Sequence, residues 1–320
     1  MVNQALNPSF IPRPVLTGVA CILLAALIWA GWWVLSRYGV TVSMAPADIM
    51  ALRFLVAGLV FAPFVWRMGW AMRWWQALIL ALFGILLNAL LGLSGLRFAP
   101  AAHGAILASG LTPVFTAALA WFVLNESMYR ERLLAFALVF VGAILIGMDN
   151  LAHTHQDQWL GHLMFVGGAL LWSSYMVLMR LWRVPPLAGA ATVIVTSALV
   201  YLPFYAVFYG WRFSEVPWQD MAVQGFYQGV MTSVIGMIAI NVAIKNLGAA
   251  SAGVTNGLIP VLTILLAIFF LGEMPGWNEI TGALAVLIGV PFALGLRMDP
   301  ASRREAELLA PRGQQVDTTA

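Results

Sequence analysis

Charge is what this chain has least of. Only 9% of its 320 residues are Asp, Glu, Lys or Arg, where a soluble globular domain carries about 25%. Cys21 is the single cysteine, which excludes an internal disulfide and a cysteine-clustered metal site. No G-x-x-x-x-G-K-[ST] loop occurs, so nothing marks the chain as an ATP-driven pump. HExxH and GxSxG are missing as well, as are paired carboxylates or histidines inside an apolar run. No enzyme, metal or cofactor is therefore expected. No Asp or Glu lies in the middle of an apolar run, which disfavours a proton-coupled cation antiporter and favours downhill efflux.

Apolar residues fill the space instead, at 62% of the chain. They gather into ten runs of roughly 20 residues, the length that crosses a bilayer as a helix. The runs are 15–36, 46–66, 75–96, 101–124, 131–148, 161–182, 187–209, 220–245, 249–271 and 278–296. The first is too long for a signal-peptide core and lacks a small-residue cleavage pattern, so it reads as a retained helix. The expected class is an all-α membrane protein with the lipid bilayer as its surroundings. Segments 1–14 and 298–320 read as cytoplasmic ends, the second of them disordered, and 149–160 as a central linker.

The basic residues set the orientation. With the N-terminus in the cytoplasm, 12 of them fall on the cytoplasmic side and only Arg37, Arg97 and Arg212 on the other, with Arg53 inside a span. Both termini are then cytoplasmic. The net charge of +3 is explained by these loops and does not point to nucleic acid.

The two halves, 15–148 and 161–297, repeat one another. GLTPVFTAALAWFVLNE (110–126) matches GLIPVLTILLAIFFLGE (257–273) at an offset of 147 residues. Upstream, ALIWAGWWVLSR (26–37) matches ALLWSSYMVLMR (169–180) at an offset of 143. Five spans per half is an odd number, so the second half enters the membrane inverted. Inverted repeats let two halves alternate which side is open, the architecture of secondary transporters.

Pro113 and Pro260 hold equivalent places in these repeats. A helical proline leaves the carbonyl four residues earlier without its donor, here Ser109 and Asn256. Two such breaks near mid-membrane mark a substrate cavity; alternatively the prolines only curve their helices for packing. Trp29 and Trp32, with their counterparts Trp172 and Tyr175, are either cavity walls for apolar cargo or packed and lipid-facing aromatics. Trp70, Trp74, Trp75, Trp211, Trp218 and Trp277 read as interfacial anchors. Asn88, His103 and Asn241 are further polar candidates for the cavity, beside Ser94 and Gln228, and His103 is either a hydrogen-bonded structural residue or a substrate or proton contact. Arg53 either reaches out to the interface or faces the cavity and attracts a carboxylate. Asp48, Glu126, Glu273 and Glu279 lie at span ends and read as caps or loop partners.

Ten spans in five-plus-five halves, each with a G-L-x-P-V-x-T run closing on a glutamate, resemble the drug/metabolite transporter superfamily, and within it the EamA-type exporters. The resemblance implies a basket in which helices 1–4 and 6–9 surround a cavity and helices 5 and 10 lie outside. It makes Arg53 the arginine often found in helix 2 of the family. Members carry amino acids, nucleotide sugars, sugar phosphates, purines and drugs. The nearly uncharged, aromatic spans resemble those of exporters of aromatic and other neutral amino acids, working by alternating access in the bacterial inner membrane. Drugs or metabolites such as purines are the alternative cargo, and a receptor or scaffold without transport is the alternative class. A cavity enclosed by one chain requires no partner subunit, so a monomer is expected.

Overall fold

The computed structural model describes residues 13–125, 157–210, 213, 216–247 and 250–293. Among these residues there is no strand, and the chain runs as nine helices. They are α1 (Arg13–Val42), α2 (Pro46–Met68), α3 (Trp74–Gly95), α4 (Ala101–Leu124) and α5 (Gln158–Leu181). The remaining four are α6 (Pro186–Phe208), α7 (Trp218–Leu247), α8 (Ala250–Leu271) and α9 (Trp277–Ala293). Helices α1 to α7 are each long and apolar enough to cross a membrane. The predicted span 131–148 and the acid Glu126 lie outside the described residues.

The helix ends follow from local chemistry. Pro46 and Pro186 open α2 and α6 at positions where a missing N–H costs nothing. Asp48 accepts a hydrogen bond from the Ala45 N–H at 3.0 Å, the cap predicted for it, and also one from the Tyr205 hydroxyl at 2.6 Å. Helix α4 stops at Asn125 and α8 at Gly272, both left-handed, with φ of 54° and 68°.

Large apolar side chains point outward all along the bundle, Leu59, Phe122, Leu163, Val207 and Phe269 among them. In water that would be an aggregating surface; against lipid it is the expected one. Trp74, Trp218 and Trp277 are exposed at helix starts, as membrane-interface anchors would be, whereas Trp75 packs edge-on against Trp182. This is a multi-pass membrane protein.

Inside, α1 packs on α7 and α8, α2 on α6, and α5 on both α3 and α4, while α9 closes against α4 and α8. Close approach is clearest where α3 ends beside the start of α5. A Cβ at Gly161 would sit 2.9 Å from the Gly95 carbonyl oxygen, and one at Gly95 only 3.1 Å from that of Gly161. The two backbones touch because neither residue has a side chain.

Two features differ from expectation. First, α4 and α8 are not broken at Pro113 and Pro260; each runs through its proline as one helix. Beside Pro113, the Ser173 hydroxyl on α5 donates to the Thr112 carbonyl at 3.0 Å and ties α4 to α5. Second, the middle of α3 (Leu80–Leu87) and of α7 (Phe226–Ile235) winds as a π-helix.

Candidate functional site

A central cavity of about 200 Å³ lies among α1, α2, α3, α4, α5, α7 and α8. One wall is aromatic: Trp29, Trp32 and Trp33 from α1, with Phe165 and Trp172 from α5. Trp33 stands edge-on to both Trp32 and Phe165, at ring separations of 4.7 and 5.6 Å. The polar lining comes from Asn88, Ser109, Thr112, Thr232 and Asn256, and Gly92 and Gly168 leave room between the rings.

Arg53 completes the lining and is its only basic side chain among the described residues. It makes no hydrogen bond or ion pair to any described residue. A partly buried guanidinium with five donors and no acceptor is costly to hold. It is poised to take an anion, and a carboxylate fits its planar fork in bidentate fashion.

Of the residues singled out from the sequence, Trp29, Trp32, Arg53, Asn88, Ser109, Trp172 and Asn256 line this cavity. Ser109 and Asn256, the repeat-equivalent residues before the two prolines, therefore meet at one place. Pro113 and Pro260 stand behind them in the helices and do not line it. Tyr175 is buried and stacks on Trp172 with 4.9 Å between ring centres, backing the wall without forming it. Asn241 donates to the Met237 carbonyl of its own helix at 2.7 Å and stays out of the cavity.

His103 is not among the residues that line the cavity. Its ring turns away from the cavity to the end of the bundle where α4, α5 and α9 begin, hereafter the capped end. There Nδ1 lies 2.8 Å from Nε2 of His162, and Nε2 lies 2.5 Å from Oε1 of Glu279. The second contact is off the hydrogen-bond axis, so it is an ion-pair approach and not a well-directed bond. Glu279 also caps α9, accepting from the Gly276 N–H at 2.7 Å. Glu273 is a cap too, but of another helix: it accepts from the Ala101 N–H of α4 at 3.2 Å while pairing with Arg37 Nε at 3.0 Å.

Sequence reasoning missed how the cavity wall is held. The indole N–H of Trp32 donates to Gln228 Oε1 at 2.6 Å, and Gln228 Nε2 donates to Ser36 Oγ at 2.9 Å. Gln224 anchors the same seam by donating to the Leu35 carbonyl at 2.7 Å. Both glutamines are fully buried on α7, where an unmade hydrogen bond would be expensive. The usable signal was a pair of glutamines four residues apart in an otherwise apolar run.

Known proteins resemble this arrangement. A solved crystal structure superposes with a TM-score of 0.60 at 19% identity, covering 89% of this chain and 97% of its own. The uncharacterized transporter YyaM of Bacillus subtilis is 29% identical over 68% of this chain and 71% of its own length. An uncharacterized transporter of Archaeoglobus fulgidus is 25% identical over 83% of this chain and 93% of its own. The aromatic amino acid exporter YddG of Escherichia coli matches a shorter stretch, 30% identical over 39% of this chain and 42% of its own. Residues 16–148 and 159–295 both match one family description, and between them they span nearly the whole chain: it belongs to the EamA-like transporter family.

Proposed function

We propose that this protein exports amino acids, aromatic and other neutral ones, across the inner membrane of a bacterium. The observation that carries the reading is Arg53, a cation on the cavity lining with no acceptor among the described residues. The substrate's carboxylate supplies the missing partner, and Trp29, Trp32 and Trp172 stack on its side chain. Asn88, Ser109 and Asn256 offer hydrogen-bonding groups for the remaining polar atoms. At about 200 Å³ the cavity is smaller than pockets for drug-sized ligands, which run from about 300 Å³. The match to an aromatic amino acid exporter supports the same cargo.

Transport proceeds by alternating access between two inverted five-span halves, ten spans in all, with both termini cytoplasmic and one chain sufficient. The meeting of Ser109 with Asn256 and the π-helical stretch in both α3 and α7 support the repeat. Purified protein in liposomes is expected to exchange labelled phenylalanine and leucine saturably. Phenylalaninamide, which lacks the carboxylate, should compete poorly. Competition by purines or cationic drugs with none by amino acids would replace the cargo, and no saturable flux of any of them would remove transport.

A further inference from the structure

We propose that Glu279, His103 and His162 form a proton-binding site at the capped end, and that protons taken up there drive export. The inference rests on the transport reading above and adds to it an ion and a driving force. The lack of a carboxylate within a span favours downhill efflux and His103 leaves proton coupling open; here a carboxylate reaches that buried histidine.

The geometry fixes how many protons the group holds. His103 and Glu279 are both buried, 3% and 7% exposed. Two ring nitrogens 2.8 Å apart cannot face each other lone pair to lone pair, so one proton lies between His103 Nδ1 and His162 Nε2. His103 Nε2 and a Glu279 oxygen, 2.5 Å apart though off the hydrogen-bond axis, would repel as two bare lone-pair atoms, so one of them carries a proton. Two protons thus satisfy both contacts and leave the group with one net negative charge. A third makes it neutral, with an imidazolium against a carboxylate or its tautomeric equivalent. Burial favours the neutral form over the isolated charge. One proton is therefore exchangeable, and it passes along the chain by shifts between ring nitrogens without moving heavy atoms.

The surroundings bear this out. Among the described residues at this end, Arg37 and Glu273 neutralise each other at 3.0 Å, Asp48 caps α2 and accepts from Tyr205, and Asp220 lies in the first turn of α7. Arg97 and Asp157 are exposed. A second cavity of about 180 Å³, lined by Glu279, Glu273 and Pro100 among others, reaches the carboxylate and gives protons a way in. The group joins three helices, α4 through His103, α5 through His162 and α9 through Glu279. Two of these also build the substrate cavity: Ser109 follows His103 by six residues, about 9 Å along α4, and α5 carries Trp172. Loss of a proton leaves a buried charge that loosens α9 from α4, and gain restores the tie. In the proposed orientation the capped end faces outward, so the proton enters from outside; released to the cytoplasm through the substrate cavity when that cavity opens inward, it lets an inward proton gradient favour export.

Two measurements test this on the whole chain. The protein has four histidines, so histidine-labelled protein in nanodiscs resolves them individually by NMR from about pH 8 to pH 5. His103 and His162 are expected to shift together with uptake of one proton, and to shift separately in Glu279→Gln. Gln at that position still accepts from Gly276, so the helix cap and fold are retained. In liposomes, the wild type is expected to accumulate phenylalanine at least several-fold more with a pH gradient than without. That ratio should fall to about one in Glu279→Gln and in His103→Gln. Independent titration of the two histidines, or a gradient response kept in both variants, overturns the proposal. Absence of phenylalanine flux under every condition counts against the cargo alone, and the titration still decides the proton site.

Discussion

At the capped end Arg37 is paired, its Nε donating to Glu273 at 3.0 Å and its Nη1 to the Leu96 carbonyl. In the cavity Arg53 has no partner among the described residues. The same contrast runs through the polar residues around them. At the capped end Glu273, Glu279 and His103 are each committed to another part of the chain. In the cavity Asn88, Ser109 and Asn256 turn toward the lining that they share with Arg53. Satisfied polar groups hold helices in place; an unsatisfied cation in a low-dielectric pocket is reserved for something that arrives. One region therefore ties the chain to itself and exchanges at most a proton, and the other has room for a larger visitor.

Arg53→Gln is the largest test of that contrast. Truncating one side of a buried charge pair costs about 2–5 kcal/mol, so phenylalanine kcat/KM should fall roughly 30- to 5000-fold. Thermal stability should hardly move, and phenylalaninamide, already weak, should be insensitive. Gly161→Ala strikes the other region. Its methyl meets the Gly95 carbonyl and the Ala99 side chain, and overpacking of this kind costs about 1–3 kcal/mol. A lowered melting temperature with near-normal substrate affinity is the expected result. Glu273→Gln leaves Arg37 without its countercharge while keeping an acceptor for Ala101, and a loss of about 1 kcal/mol is expected in the same melting assay. Trp172→Ala should act only on preference: losing one stacking partner, worth about 0.5–1.5 kcal/mol, narrows the advantage of phenylalanine over alanine by roughly 2- to 12-fold. An unstable Arg53→Gln, or a transport-dead Glu273→Gln that still folds well, would erase the distinction between the regions.

Much of the fold was legible because spans announce themselves by length. Helix α4 occupies 101–124 as read from its apolar run, with Pro100 before it and Asn125 turning it off. Helix α1 runs past its predicted end at Ser36 to Val42, because Arg37 read as a loop charge. In the structure that charge is neutralised by Glu273, and the helix continues. The cavity was legible where two halves repeat, since Ser109 and Asn256 could be matched by offset. His103 was not, because α4 is apolar nearly all round and hydrophobic period then carries no rotation signal. The contact from His103 to Glu279 joins residues distant in the chain, which no local pattern reports. Nor does LALFGILL in α3 look different from an ordinary apolar helix, since hydropathy is blind to which carbonyl an amide chooses.

That last choice has a geometric consequence. A π-helix turns less per residue than an α-helix and bonds each amide one residue further back. Asn88 and Gly92 lie just beyond the stretch in α3, and Gly236 just beyond the one in α7. Rewinding either stretch to the tighter form would swivel everything downstream about the helix axis while leaving the upstream half where it is. The direction in which Asn88 points is thus set by a backbone register eight residues long, and changing that register re-aims the side chain without bending or breaking the helix that carries it.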